Sequence, residues 1–277
     1  MNYTEVIFLL NHHDAAEMLM AQLTECGFEG FEEEQGKVKA YIPTSQFKNE
    51  MLIHFDEQWC DGALSGWTQH NLIDQNWNAL WESNFEPVRI EGICLIRAPF
   101  HPPDASLPME VVVEPKMSFG TGHHQTTRLM VIAISKLNLK GKHVLDMGCG
   151  TGILAIVAAR WGASSGDAID CDMWSVENSE ENFKRNHVDQ FRVFQGMAED
   201  IPEDAHYDVI LANINRNVLL EDIPSYARCL STQGILLMSG FYAEDADVIE
   251  EVCSRNQLSF VESSHEDRWT CLQFMKT

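Results

Sequence analysis

Basic side chains are scarce in this chain. Nineteen lysines and arginines stand against 42 aspartates and glutamates in 277 residues, a net charge of −23, which disfavours any binding mode that rests on neutralising phosphates. Free DNA and RNA are poor candidate partners; such a surface suits either plain solubility or a basic protein partner, and charge alone does not choose between them. Long apolar runs are lacking too: residues 153–159 form the longest near the middle, far short of the ~20 that a membrane span requires. The N-terminus offers a five-residue apolar run, 6–10, and no basic start, which argues against a secretory leader. A cytoplasmic protein without membrane attachment is expected. The eight cysteines include no C-x-x-C pair and none has a histidine at zinc spacing, which points to buried free thiols and to no metal site. Internal repeats and low-complexity tracts are absent from the sequence as well.

What is present divides into three stretches. Residues 1–72 read as a small βαββαβ unit of ferredoxin-like pattern. Its strands fall at 3–10, 28–34, 37–42 and 67–73; Asp14 and Glu17 form a capping box for a first helix ended by Gly27, and a second helix is expected around 46–56. Three lysines face twelve acidic residues in this unit, so its sheet can hold a basic partner. Residues 73–86 read as a linker helix with Trp77 and Trp81 four apart on one face, stopped by Pro87. From 87 onward come short strands at 88–90, 93–97 and 109–113, then a strict strand-helix alternation from His143. Seven strands there, at 143–147, 166–169, 191–195, 207–212, 234–239, 259–263 and 269–275, predict a Rossmann-like α/β domain over 87–277, doubly wound with helices on both faces.

The segment that carries chemistry is Val144-Leu-Asp-Met-Gly-Cys-Gly-Thr-Gly152, an apolar strand running into a glycine-rich turn and a helix. Glycines let the backbone approach a nucleoside, and a helix start offers free amides. A dinucleotide fold wants G-x-G-x-x-G, whereas Gly148, Gly150 and Gly152 are spaced G-x-G-x-G, with Asp146 two residues ahead. That pattern suits S-adenosylmethionine, which brings no pyrophosphate. Asp170, 22 residues after Gly148 at a strand end, can accept both ribose hydroxyls; it or Asp172 can equally cap the next helix. Ala198-Glu199-Asp200 offers an acidic side chain to the adenine amine. Asn213 arrives at the carboxyl edge of the sheet, where an amide can orient an incoming amine or cap a helix. Thr126 or Thr127 is expected to cap the helix over 129–137 and to aim a hydroxyl at the cofactor's carboxylate; His123 and His124 are expected to make structural hydrogen bonds.

The runs Phe119-Gly-Thr-Gly-His-His-Gln-Thr-Thr127, Asp146-Met-Gly-Cys-Gly-Thr-Gly-Ile-Leu-Ala155, Asp170-Cys-Asp172 and Ala212-Asn-Ile214, with the Trp77/Trp81 linker and Phe85-Glu-Pro-Val88, resemble the bacterial ribosomal protein L11 methyltransferase family, PrmA. The similarity runs from about Asp74 to Trp269. It implies a class I methyltransferase that modifies the N-terminal α-amine and lysine side chains of a basic large-subunit ribosomal protein. The small N-terminal domain would recognise the substrate, the linker would let it swing, and the enzyme would act as a monomer. The resemblance places cofactor contacts at Thr127, Gly148, Asp170 and Asn213. One departure stands out: the family commonly continues Leu-Ala-Gly-Pro-Leu after Asn-Ile, and this chain has Asn215-Arg-Asn-Val-Leu219. Other acceptors stay open, although an Asn-x-x-Tyr edge for planar nitrogens is absent because Arg216 stands where Tyr would be. An NAD-dependent oxidoreductase is opposed by the glycine spacing, and a non-catalytic adenosine-binding adaptor by the joint presence of Gly148, Asp170 and Asn213.

Overall fold

A computed structural model describes every residue except 1–2, 13–14, 35, 56–58, 60–61, 73–84, 105 and 117. The chain forms two compact units, Met1–Phe85 and Glu86–Thr277. The linker helix expected over 73–86, with Trp77 and Trp81, lies outside the described residues but for 85 and 86, as does the Asp14 half of the capping box.

In the first unit, β1 (Tyr3–Leu10), β2 (Gly30–Glu34), β3 (Lys37–Pro43) and β4 (Leu64–Leu72) form a sheet of order β2-β3-β1-β4 with antiparallel neighbours. Period-two alternation turns Val6, Phe8, Val38, Ala40 and Ile42 inward, against Ala16, Leu19 and Leu23 of α1 (Ala16–Glu25). β2 starts two residues later than the sequence suggests. Gly27, at φ +93°, and the Phe28 amide, which donates to the Leu23 carbonyl, still belong to the end of α1. The second helix expected over 46–56 is corrected to a 3-10 turn, Asn49–Leu52. Met51 bonds back to Lys48 and Phe55 to Leu52, and Leu52 and Phe55 reach the core while exposed Ile53 does not, too few anchors for an amphipathic stripe.

The second unit opens with a three-stranded sheet, β5 (Val88–Ile90), β6 (Cys94–Arg97) and β7 (Glu110–Val112). A seven-stranded sheet follows, made of β8 (His143–Met147), β9 (Ser165–Asp170), β10 (Phe191–Gln195), β11 (Tyr207–Asn213), β12 (Leu230–Tyr242), β13 (Leu258–Glu266) and β14 (Trp269–Lys276). Its order is β10-β9-β8-β11-β12-β14-β13, with β14 the reversed strand. Alternation along β8 sends Val144 to one face, with α2 (Gln125–Lys136) and α3 (Ile153–Arg160). It sends Leu145 and Met147 to the other, with α5 (Arg216–Cys229) and α6 (Ala246–Arg255). Every residue of α3 from Ile153 to Ala159 is buried, which is why this helix reads as a continuous apolar run.

α4 (Met173–Arg185) carries an unusual face. Asn178 and Asn182, with Asn186 at its C-terminal cap, recur at i, i+4, i+8 and are at most 1% exposed. Asn186 Oδ1 accepts the Val112 amide at 2.9 Å and its Nδ2 donates to the Val112 carbonyl at 2.7 Å. Asn182 Oδ1 accepts the Glu114 amide and its Nδ2 donates to the Thr151 carbonyl, both at 2.9 Å. Two side-chain amides therefore do for β7 what a neighbouring strand would do, and tie the glycine-rich turn to the same helix. Replacing Asn182 by Leu leaves two buried backbone groups unpaired, so chemical denaturation should show a loss of about 2–5 kcal/mol; a loss under about 0.5 kcal/mol would contradict this account.

Candidate active site

The loops after β8, β9, β10 and β11 converge at the carboxyl edge of the sheet, where open α/β sheets bind ligands. The segment 118–124 closes over them. Together they line a cleft of about 580 Å³, whose wall includes Phe119, Thr126, Gly148, Gly150, Asp170, Ala198, Asn213 and Trp269.

The three glycines of the turn do two different jobs. All have positive φ, 67°, 57° and 76° at Gly148, Gly150 and Gly152, a region costly for residues with a Cβ. Gly148 and Gly150 line the cleft, and a Cβ on Gly150 would sit 2.3 Å from the Phe119 carbonyl oxygen. Gly152 is not in the cleft wall. Its Cβ would meet Phe183 Cε1 at 2.7 Å and Ser179 Oγ at 2.9 Å, so it lets the start of α3 pack on α4. At Gly152, where a cofactor contact was expected, the missing Cβ makes room for this packing.

Asp170 is 9% exposed and lines the cleft. Its Oδ2 accepts the Gly150 amide at 2.9 Å and its Oδ1 the Asp172 amide at 3.0 Å; each oxygen keeps a lone pair for a ligand hydroxyl. Asp172, also in the cleft wall, caps α4 through the Trp174 amide. Asp200 turns back on its own chain, accepting the Met197 amide at 2.8 Å, and the wall at this loop is Gly196, Met197 and Ala198.

Upstream, α2 begins at Gln125 and its cap is His124, whose Nδ1 accepts the Thr126 amide at 3.2 Å. The capping expected of Thr126 or Thr127 is corrected accordingly. Thr126 lines the cleft; Thr127 does not, and its fully buried Oγ1 has no hydrogen-bond partner among the described residues. Burial, and then the Arg128 charge, hold the His124 imidazole below its ordinary pKa against the pull of Glu266. This favours the neutral ring that the cap requires. His124 lies against Trp269 and Phe119, at 4.6 and 5.3 Å between ring centres. His123 bonds Thr121 Oγ1 and the Glu86 carbonyl. Among the described residues, no group of three or more His, Cys, Asp or Glu is placed to hold a metal ion.

Asn213 ends β11, and its Oδ1 is buried on the cleft wall without a hydrogen-bond partner among the described residues, an arrangement costly unless a ligand completes it. The departing loop is anchored away from it. Asn215 Oδ1 caps α5 through the Val218 amide at 3.2 Å, and Arg216 pairs with Asp245 at 2.7 Å. Sequence reasoning missed Phe119, Trp269, Met197, Asp222 and Gly240 in the wall. Gly240 alone carried a signal, a glycine inside a strand: its Cβ would lie 2.4 Å from the Ile214 carbonyl oxygen.

A glycine turn after the first strand of the large sheet, an acid ending the second and an asparagine ending the fourth define a class I methyltransferase domain. The residues also fit the nucleoside that this class employs, S-adenosylmethionine: a backbone cradle with no Cβ, a buried carboxylate, and an amide oxygen awaiting a donor. The profile of the family described as Ribosomal protein L11 methyltransferase (PrmA) matches residues 5–277. A protein of that name from Porphyromonas gingivalis is 41% identical over 99% of this chain and 98% of its own, and one from Chlorobaculum tepidum 36% over 97% and 94%. The crystal structure of a ribosomal protein L11 methylase from Lactobacillus delbrueckii subsp. bulgaricus superposes with a TM-score of 0.64 at 27% identity, over 70% of this chain and all of that one. This chain belongs to the ribosomal protein L11 methyltransferase family, and the match takes in most of the N-terminal unit, where sequence motifs gave least.

Asp146 sits beneath the turn, 1% exposed, its Oδ2 accepting the Ala155 amide at 2.9 Å and its Oδ1 unpaired among the described residues. Burial pushes its carboxyl up to about 7, the Asp170 charge adds to this, and the Ala155 amide opposes it. A raised folded-state pKa gives the native protein the extra proton between about pH 4 and 7, so stability falls as pH rises through that window. Asp146→Asn removes the titration. The unfolding free energy of the variant minus that of the wild type should climb with pH by up to about 1.4 kcal/mol per unit between pH 4 and 7, and level off above; a difference flat in pH would refute it.

Proposed function

We propose that this chain transfers methyl groups from S-adenosylmethionine to amino groups of ribosomal protein L11, the N-terminal α-amine and lysine side chains among them. Family membership and the printed names of its relatives support the substrate. The chemistry rests on one observation, the unpaired Asn213 Oδ1 in the cleft wall. In this reading the backbone at Gly148 and Gly150, the Asp170 carboxylate and the Thr126 hydroxyl hold the cofactor. What it supplies when bound is an electrophilic methyl on a positively charged sulfur, next to which an amine loses its proton more readily.

The protein's own task is alignment and dehydration. Asn213 Oδ1 accepts an N–H from the incoming amine and so turns its lone pair toward the methyl carbon, without acting as a base. Phe119, Trp269 and the His124 ring cover the cleft against water. Only neutral amine reacts: an α-amine is neutral about one time in seven at pH 7, while a lysine near pKa 10.4 lies about 4.6 kcal/mol from its neutral form. No histidine or carboxylate need take up that proton in the cleft, because it is lost before transfer.

Residues 1–72 are read as a ferredoxin-like domain that recognises the substrate, 73–86 as a linker and 87–277 as the catalytic domain. The excess negative charge of the first unit suits a basic ribosomal protein, met as free protein, in the cytoplasm and by a monomer. Among the described residues no helix is long and apolar enough to cross a membrane. The test is mass spectrometry of large-subunit ribosomal proteins after incubation with enzyme and isotopically labelled methyl donor. Label should appear on L11 amines; label confined to another protein would overturn the substrate. Asn213→Ala should lower turnover by about ten- to a hundredfold with cofactor binding still measurable, and unchanged turnover would remove Asn213 from the mechanism.

A further inference from the structure

Asp170 and the helix-capping Asp172 share the cleft wall with a third carboxylate, Asp222. Asp222 lies half-buried on α5, facing the cleft. Its Oδ2 accepts the hydroxyl of the fully buried Tyr226 at 2.9 Å. Among the described residues its Oδ1 has no partner and the group makes no ion pair. A carboxylate partly withdrawn from water without a cation carries a cost; burial holds this one above its ordinary pKa, and the Tyr226 bond relieves only part of that.

Its position indicates what it awaits. α5 leaves the sheet at Asn215, beside Asn213, and Asp222 is seven residues further along, about 10 Å at 1.5 Å per residue. There α5 packs on the 3-10 turn Ala198–Asp200, with Ala198, Ile201, Leu219, Ile223 and Tyr226 in one apolar cluster. Arg228 fastens the helix to the Ile201 carbonyl at 3.3 Å. The charge of Glu199 in the same turn acts on Asp222. Asp222 therefore stands at the Met197–Ala198 end of the cleft, beyond Asp170 and away from Asn213. That separation is comparable with the span of a nucleoside from its 5′ substituent to the far edge of its base.

We infer that Asp222 selects the base of the bound nucleoside, its Oδ1 accepting a hydrogen bond from the exocyclic amine of adenine while Tyr226 fixes the other oxygen. The role foreseen for the acidic pair Glu199-Asp200 passes to a helix that arrives from the next strand. This inference rests on the proposed S-adenosylmethionine chemistry, and ligand binding tests it without turnover. A base with a carbonyl in place of the amine would set oxygen against carboxylate.

The experiment is titration calorimetry of the full chain with S-adenosylhomocysteine and with S-inosylhomocysteine. The wild type should prefer the adenine compound by about 10–100-fold. Asp222→Asn, which can donate to the carbonyl, should shrink that preference to threefold or less, while Glu199→Gln leaves it unchanged. Tyr226→Phe, which keeps the carboxylate and frees it to rotate, should cut it two- to fivefold and serves if Asp222→Asn does not fold. A wild type that binds neither compound removes the proposed function and this role with it. A wild type that binds S-adenosylhomocysteine, with the same base preference in Asp222→Asn, removes this role alone.

Discussion

The contact on which the site depends is made at Gly150. Its amide donates to Asp170 at the end of β9, while the carbonyl of Phe119 lies where a Cβ would stand. Three chain segments distant in sequence thus meet at one α-carbon: the turn after β8, the carboxylate after β9 and the segment that closes the cleft. The Thr151 amide repeats the link by donating to the same Phe119 carbonyl at 2.9 Å, and the Thr151 hydroxyl donates to Gly120 at 2.6 Å. These bonds hold the closing segment against the turn, so that Phe119 and His124 are set by the geometry of the glycines.

Around that contact the protein keeps several polar groups out of water, and the way each is satisfied separates structure from function. Asn182 and Asn186 have their amides fully engaged with backbone and belong to the frame. Asp167, at the other end of β9, is held by Arg192 and by the Tyr207 hydroxyl at 2.7 Å. Asp146 Oδ1 and Asn213 Oδ1 have no such partners. Where folding leaves a buried lone pair idle at a sheet's carboxyl edge, a ligand or a proton is the remaining means of satisfying it.

Much of the large sheet was legible because its strands are short apolar runs set between polar turns, and β8, β10 and α3 fall at the residues foreseen. That Gly148, Gly150, Asp170 and Asn213 share a cleft wall was legible for a related reason: they end strands or follow one directly, and strand ends in this topology share one edge. What stayed hidden depends on contacts across the chain. Gly152 looks like its two neighbours in sequence, and only the approach of Phe183 separates its task from theirs. The His124 cap was obscured because a threonine is the more usual residue for that place, whereas the ring gains here from packing on Trp269. Asp222 is one acid on an amphipathic helix, indistinguishable in sequence from a solvated one.

The loop after Asn213, where this chain departs from the common family pattern, is held without drawing on Asn213 itself. Asn215 satisfies the start of α5 through its own side chain, and Arg216 is drawn to Asp245 at the start of α6. Neither residue competes for Asn213 Oδ1. The peptide at Ile214 is meanwhile pinned from both sides, its amide donating to the Ser239 carbonyl and its carbonyl pressed against Gly240. In the mechanism we propose, Asn213 needs a fixed backbone more than a fixed neighbour, because its oxygen would hold the amine so that the amine's lone pair lies in line with the methyl carbon. With the backbone fixed by the adjoining strand, the residues that follow are free to vary in what they offer to the substrate.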